Sequence, residues 1–267
     1  MQKVYNVESL VEGDLKTYET LHDVINYNPE KPEDFDYELY KIENAQELED
    51  FFEGAISDAH DGYQPILHFD LHGYKEGIQL RSGQLINWDE ISDHFIELNK
   101  ACNISLFLSV GACFGIGLIQ IIDFLKRAPF GVLIGPNQKV YPEQITSLYR
   151  GLYEDYLGNG EVENFLKGTD LIPSVFSAIE INYFYNHKLF DVEISKKNGT
   201  FDEFFEHWKA NIFEDDPTNY SKEKLKETFY IWFHLNSEKA KEENFEKFFM
   251  FDIYPENETR FTLEKNG

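Results

Sequence analysis

The chain has 267 residues, 42% hydrophobic and 16% aromatic, enough to bury one large core with or without an appendage. Its 49 acidic against 24 basic side chains give a formal net charge of −25, which repels phosphate backbones and anionic lipid and argues against direct nucleic-acid or membrane binding. No run approaches the roughly 18 apolar residues of a membrane span, and the first residues lack the basic start and apolar core of a signal peptide, so a cytoplasmic protein is expected.

Residues 1–34 are polar and irregular and are expected to form an N-terminal arm. Residues 35–42 alternate and predict a strand. Asn44, with Glu47 three positions on, reads as the N-cap of a helix running to about His60. Gly62 and Pro65 break it, and the apolar run 66–71 predicts a buried strand ending at His72-Gly73. Residues 77–81 and 84–86, around Ser82-Gly83, predict a small hairpin. Trp88-Asp89 opens a helix with Ile91, Phe95 and Leu98 on one face. A further buried strand at 104–110 ends at Gly111-Ala112-Cys113, with a helix expected behind it over 116–126. Residues 130–135 predict another short strand, and 143–156 a helix closed by Gly158 and Gly160.

This alternation from 35 to 168 predicts an α/β fold with a mainly parallel sheet flanked by helices. From Thr169 the pattern changes to aromatic-rich helices at 173–189, 202–213 and 221–233, then a late strand and turn from Phe248. Residues 169–267 are expected to be a helical appendage packed on the core.

His72 and Cys113 each end an apolar run near glycine, and they lie 41 positions apart. In an open α/β sheet, chemistry collects at the carboxyl ends of the strands. If the two strands are neighbours, an imidazole stands beside a thiol and can take its proton, which makes the attacking thiolate. Gly73 beside the base would let a substrate carbonyl approach, and the N–H groups of Gly73 and Cys113 could hold the oxyanion. The amino end of a helix over 116–126 would further favour the thiolate.

Other features have plainer readings. Two cysteines are too few for a disulfide framework or a thiolate zinc site, and Cys102 reads as an ordinary thiol. His68 shares a strand side with His72, but no third metal ligand is near, so a core position is expected. A dinucleotide fingerprint from Gly115 fails at Gln120, where glycine is required. His94, His187, His207 and His234 fall in helical patterns as surface or core residues, and the sequon at Asn257 carries no weight without a secretory signal.

The two strand ends resemble the signature of the caspase-like (clan CD) cysteine peptidases. Gly77-Ile-Gln-Leu and Gly83-Gln-Leu-Ile-Asn-Trp-Asp-Glu-Ile between them, with residues 131–135 and 149–158 after, are similar to the bacterial CHAT-type branch. The resemblance covers about 35–168. It implies a caspase-like core, His72 as general base, Cys113 as nucleophile, and Gly73 with the Cys113 amide as oxyanion hole. It implies no cofactor or metal, a protein substrate, and an activating or regulatory protein partner or ligand, in bacterial stress or defence. Relatives that cut after a basic residue use an acidic pocket, for which Asp70 and Glu143 are the candidates. Arg81 could favour an acidic residue instead, but its hairpin position points to the surface. Leu71 departs from the small residue many relatives have before the histidine, and no caspase-type processing loop is present, so self-cleavage is not expected. Two other readings stay open: a catalytically silent relative acting as scaffold or sensor, and an unrelated α/β ligand-binding domain.

Overall fold

A computed structural model describes residues 1–123, 126–136, 138–159, 174–177, 243 and 245–261. In chain order the elements are β1 (Gln2–Ser9), α1 (Thr17–Asn26), β2 (Phe35–Lys41), α2 (Ala45–His60), β3 (Gln64–Tyr74), β4 (Gly77–Gln79), β5 (Leu85–Asn87), α3 (Ser92–Ala101), β6 (Phe107–Gly111), β7 (Val132–Gly135), α4 (Pro142–Asn159), β8 (Ser174–Ser177) and α5 (Asn257–Arg260). The sheet runs β2-β1-β3-β6-β7-β8, parallel except for β8, and the hairpin β4-β5 extends from the end of β3. Parallel strands are buried on both faces, which is why β3, β6 and β7 read as apolar runs.

Helices α1 and α4 cover one face, packing Leu21, Ile25, Leu148 and Leu152 on Val4, Ile66 and Ile134. Helices α2 and α3 cover the other, packing Phe51, Phe52, Phe95 and Leu98 on Tyr5, Leu67, Phe69 and Leu108. Numbered along the chain, the five parallel strands follow the order 2-1-3-4-5, a doubly wound arrangement. In such sheets ligands bind outside the carboxyl ends of the strands where the winding reverses, here between β1 and β3.

The predicted cap of α2 is present: the Asn44 side chain accepts the Glu47 N–H at 3.2 Å, and the Glu47 carboxylate accepts the Glu43 N–H at 2.7 Å. Asn44→Ala is therefore expected to lower stability by about 1 kcal/mol in urea denaturation.

Residues 1–34 are not an arm. β1 lies inside the sheet between β2 and β3, with Val4, Tyr5 and Val7 fully buried. Its polar letters conceal this because each has a partner far along the chain. Lys3 is paired with Glu38 and Asp58 at 2.8 and 2.7 Å, Asn6 donates to the Tyr37 hydroxyl, and Glu8 is paired with Arg81. The sheet also passes the expected boundary at 168, since residues 174–177, expected as helix, are the antiparallel edge strand β8. The remainder of 173–189, and the helices expected at 202–213 and 221–233, lie outside the described residues.

Three further expectations change. The strand expected at 104–110 starts only at Phe107, because Asn103 and Ile104 take left-handed φ values of 51° and 54°. The helix expected over 116–126 is a short 3-10 stretch, Gly115–Ile121. A Cβ at Gly115, Gly117 or Gly135 would meet backbone atoms at 2.6 to 2.7 Å, so this segment lies backbone-to-backbone against its neighbours. That is too close for the roughly 10 Å girth of an α-helix with its side chains. Finally, the aromatic run from Phe248 is the end of a helical stretch followed by turns, with Met250 at φ 59°, rather than a strand. Phe245, Phe248 and Phe249 follow helical spacing and join the core on the α2/α3 face. No helix among the described residues is long and apolar enough to cross a membrane.

Candidate active site

β3 and β6 are neighbours, and their register pairs Ile66 with Phe107 and Asp70 with Gly111. That offset is 41 positions throughout, the same as the spacing of His72 and Cys113. Carried two residues past the last pair, the register sets His72 opposite Cys113. Side chains alternate along a strand, so His68, Asp70 and His72 share one side of β3, and His68 and Asp70 contact α4 and α1 there. Cys113 packs against the same α1/α4 cluster. The structure thus brings both residues to one edge and one face of the sheet.

Gly73 shows how tightly the strand ends meet. A Cβ there would fall on the Cys113 carbonyl oxygen and stand 2.8 Å from Ala112 Cβ. The glycine is needed for this approach of the two chains, whatever its value to a substrate. Beyond the main sheet, β3 stays fixed by the hairpin, with His72 paired to Gln79 and Gly73 to Ile78.

The His72 side chain is 52% exposed and its Nε2 lies 2.9 Å from Asp14 Oδ2. The same carboxylate oxygen accepts the Val11 N–H at 3.0 Å, in a turn that Gly13 makes at φ 102°. A carboxylate only accepts, so the Nε2 proton points at Asp14 and Nδ1 is left as the basic nitrogen. Asp14 escaped the sequence reading because its loop follows a strand that was concealed; the Gly13-Asp14 turn pair was the one signal available.

Cys113 is partly buried, and its Sγ donates to the Val140 carbonyl at 3.6 Å. α4 begins two residues later at Pro142, so the long helix that opens beside the thiol is α4, not a helix over 116–126. No hydrogen bond joins His72 to Cys113 among the described residues.

The two acidic pocket candidates stand differently from expectation. Asp70 is 2% exposed, and its carboxylate accepts from the Thr17 hydroxyl at the start of α1, while Oδ2 has no partner among the described residues. Burial pushes this carboxyl up to about 7. It is therefore enclosed rather than lining an open pocket. Glu143 is exposed in the first turn of α4, where a negative charge suits the helix end. Arg81 is tied to both Glu8 carboxylate oxygens at 2.7 and 2.9 Å and to the Leu10 carbonyl at 2.6 Å.

His68 is a core residue, as expected. Its Nδ1 lies 2.6 Å from Ser109 Oγ between the edges of Tyr149 and Tyr153, and burial pulls it down to about 3, so it is neutral. Burial pushes the Cys102 thiol up to about 11, which makes it a poor nucleophile. Among the described residues no group of three or more His, Cys, Asp or Glu is placed to hold a metal. No protein-family model matches the sequence, and no curated protein matches it.

Proposed function

We propose that the chain is a caspase-like cysteine endopeptidase with Cys113 as nucleophile and His72 as base. The observation that carries this reading is the common register of the two strand ends at one edge of a doubly wound sheet. Asp14 holds the imidazole by Nε2–H, so Nδ1 takes the Cys113 proton as Sγ adds to the scissile carbonyl. The N–H groups of Gly73 and Cys113 stabilise the oxyanion. Collapse of the adduct expels the amine, which leaves with the proton from Nδ1 and a thioester on Cys113. Water, deprotonated by the same nitrogen, then frees the acid and restores the thiol. The steps require no cofactor.

For the first step Sγ has to leave the Val140 carbonyl and turn to the imidazole. This supports a resting state that a regulatory partner or ligand completes. The loops after β1 and β7 expose Val11, Leu15 and Tyr141 beside the dyad, surfaces suited to a polypeptide substrate. With Asp70 enclosed, Glu143 is the remaining acid of the expected pair for reading a basic residue at the cut.

A peptidyl electrophile that alkylates thiols tests the reading. It should label Cys113, and His72→Ala should slow labelling by about 100-fold or more. Equal rates in the two proteins would sink the peptidase reading. A peptide library with basic, acidic and apolar residues at the cut is expected to favour basic ones. The scaffold reading is favoured by one observation, that the imidazole and thiol are each bonded elsewhere. It predicts labelling indifferent to His72 and partner binding unchanged by Cys113→Ala.

A further inference from the structure

We infer that Asp70 is a positioning residue for His72, acting through Thr17 and the loop that carries Asp14. The inference deepens the peptidase reading, which gives the positioned imidazole its purpose. Loop 10–16, between β1 and α1, is pinned at both ends. At its start the Leu10 N–H donates to Glu8 Oε1 at 2.7 Å and the Leu10 carbonyl accepts from Arg81 Nε. At its end the Thr17 hydroxyl donates to Asp70 Oδ1.

The second anchor is unusual in its source. Lys16, which precedes α1, offers no side-chain cap, and the start of the helix is tied instead to β3 through the Thr17 hydroxyl. Within the loop, the Asp14 N–H donates to the Val11 carbonyl at 3.2 Å and the Thr17 N–H to the Leu15 carbonyl at 3.0 Å. Asp14 therefore hangs from a short, internally bonded span, and its carboxylate meets His72. Asp70 and His72 lie two residues apart on the same side of β3. One carboxyl fixes the loop, and the loop returns a second carboxyl to the imidazole above it. Without Asp70 the start of α1 loses its acceptor, the loop gains freedom, and nothing holds the proton on Nε2.

Ring nitrogen–proton correlations in the ¹⁵N-labelled full chain report the tautomer of His72 without any need for activity. The parent protein should show the Nε2–H form. Asp70→Ala and Thr17→Val should each give a mixture of tautomers and slow Cys113 alkylation by roughly 10- to 100-fold. Asp70→Asn, which retains an oxygen for Thr17, and Thr17→Ser, which retains the hydroxyl, should restore the parent behaviour. An unchanged Nε2–H form in Thr17→Val, a change too small to threaten folding, overturns the inference even if Asp70→Ala fails to fold. If the tautomer responds but alkylation does not depend on His72, the peptidase reading fails and the positioning role stands.

Discussion

Gly73→Ala is expected to destabilise the protein by about 3 kcal/mol or more, at the upper end of what overpacking does in a core. The added Cβ would land on the Cys113 carbonyl oxygen and press on Ala112, which is 1% exposed and has nowhere to go. Neither obstacle is the end of a flexible side chain, so β3 and the turn after β6 have to separate. Separation also breaks the alignment of His72 with Cys113, and alkylation of the thiol should lose its dependence on the imidazole. Gly54→Ala supplies the control: it sits exposed within α2 with nothing within 4 Å of the new Cβ. There alanine should raise stability by about 0.5 to 1 kcal/mol through helix propensity alone. Urea denaturation of both variants measures the contrast. A Gly73→Ala protein within 1 kcal/mol of the parent would mean that the strand ends are not in contact.

Most of the parallel sheet could be read from residues 35–135, because each strand there is either an apolar run or an alternating one. The juxtaposition of His72 and Cys113 was legible as well, since both end apolar runs and a parallel pair keeps a constant offset along its length. What stayed hidden was held together by polar contacts between distant residues. Lys3, Asn6 and Glu8 make β1 look solvated, yet each pairs with a distant residue in the fold: Lys3 with Glu38 and Asp58, the Asn6 amide with Tyr37, and Glu8 with Arg81. With β1 concealed, the strand order and its reversal beside β3 could not be foreseen, nor could Asp14. Asp70 shows the complementary limit. Beside His72 it looks like part of an acidic pocket, and only the packing of Thr17 over it reveals a buried anchor. The segment after Cys113 departs from its sequence pattern for a different reason. Its apolar residues suit a helix, but Gly115, Gly117 and Gly135 admit backbone contacts that leave an α-helix no room.

Asp70→Asn is expected to make stability strongly pH-dependent between pH 4.5 and 6, where the parent is flat with respect to two buried groups. Burial raises Asp70 from 3.8 to about 7, so the fold holds a proton there that the unfolded chain has lost. Stability from this group is greatest below about pH 4 and falls as pH rises towards 7. His68 runs the other way. Burial lowers it from 6.5 to about 3, so the unfolded chain holds a proton that the fold excludes, and stability is lost as pH falls from 6.5 towards 3. At pH 5 each state therefore carries one proton on this pair, Asp70 in the fold and His68 in the unfolded chain, and the two slopes cancel. Asparagine keeps the shape and an acceptor for Thr17 but cannot titrate, which leaves His68 uncompensated. The variant should gain stability with rising pH at about 1.4 kcal/mol per unit, or about 2 kcal/mol between pH 4.5 and 6 relative to the parent. Carboxylates elsewhere affect both proteins alike and drop out of the difference. Urea denaturation across that range reads it directly, and parallel curves for parent and variant would show that Asp70 is ionised in the fold.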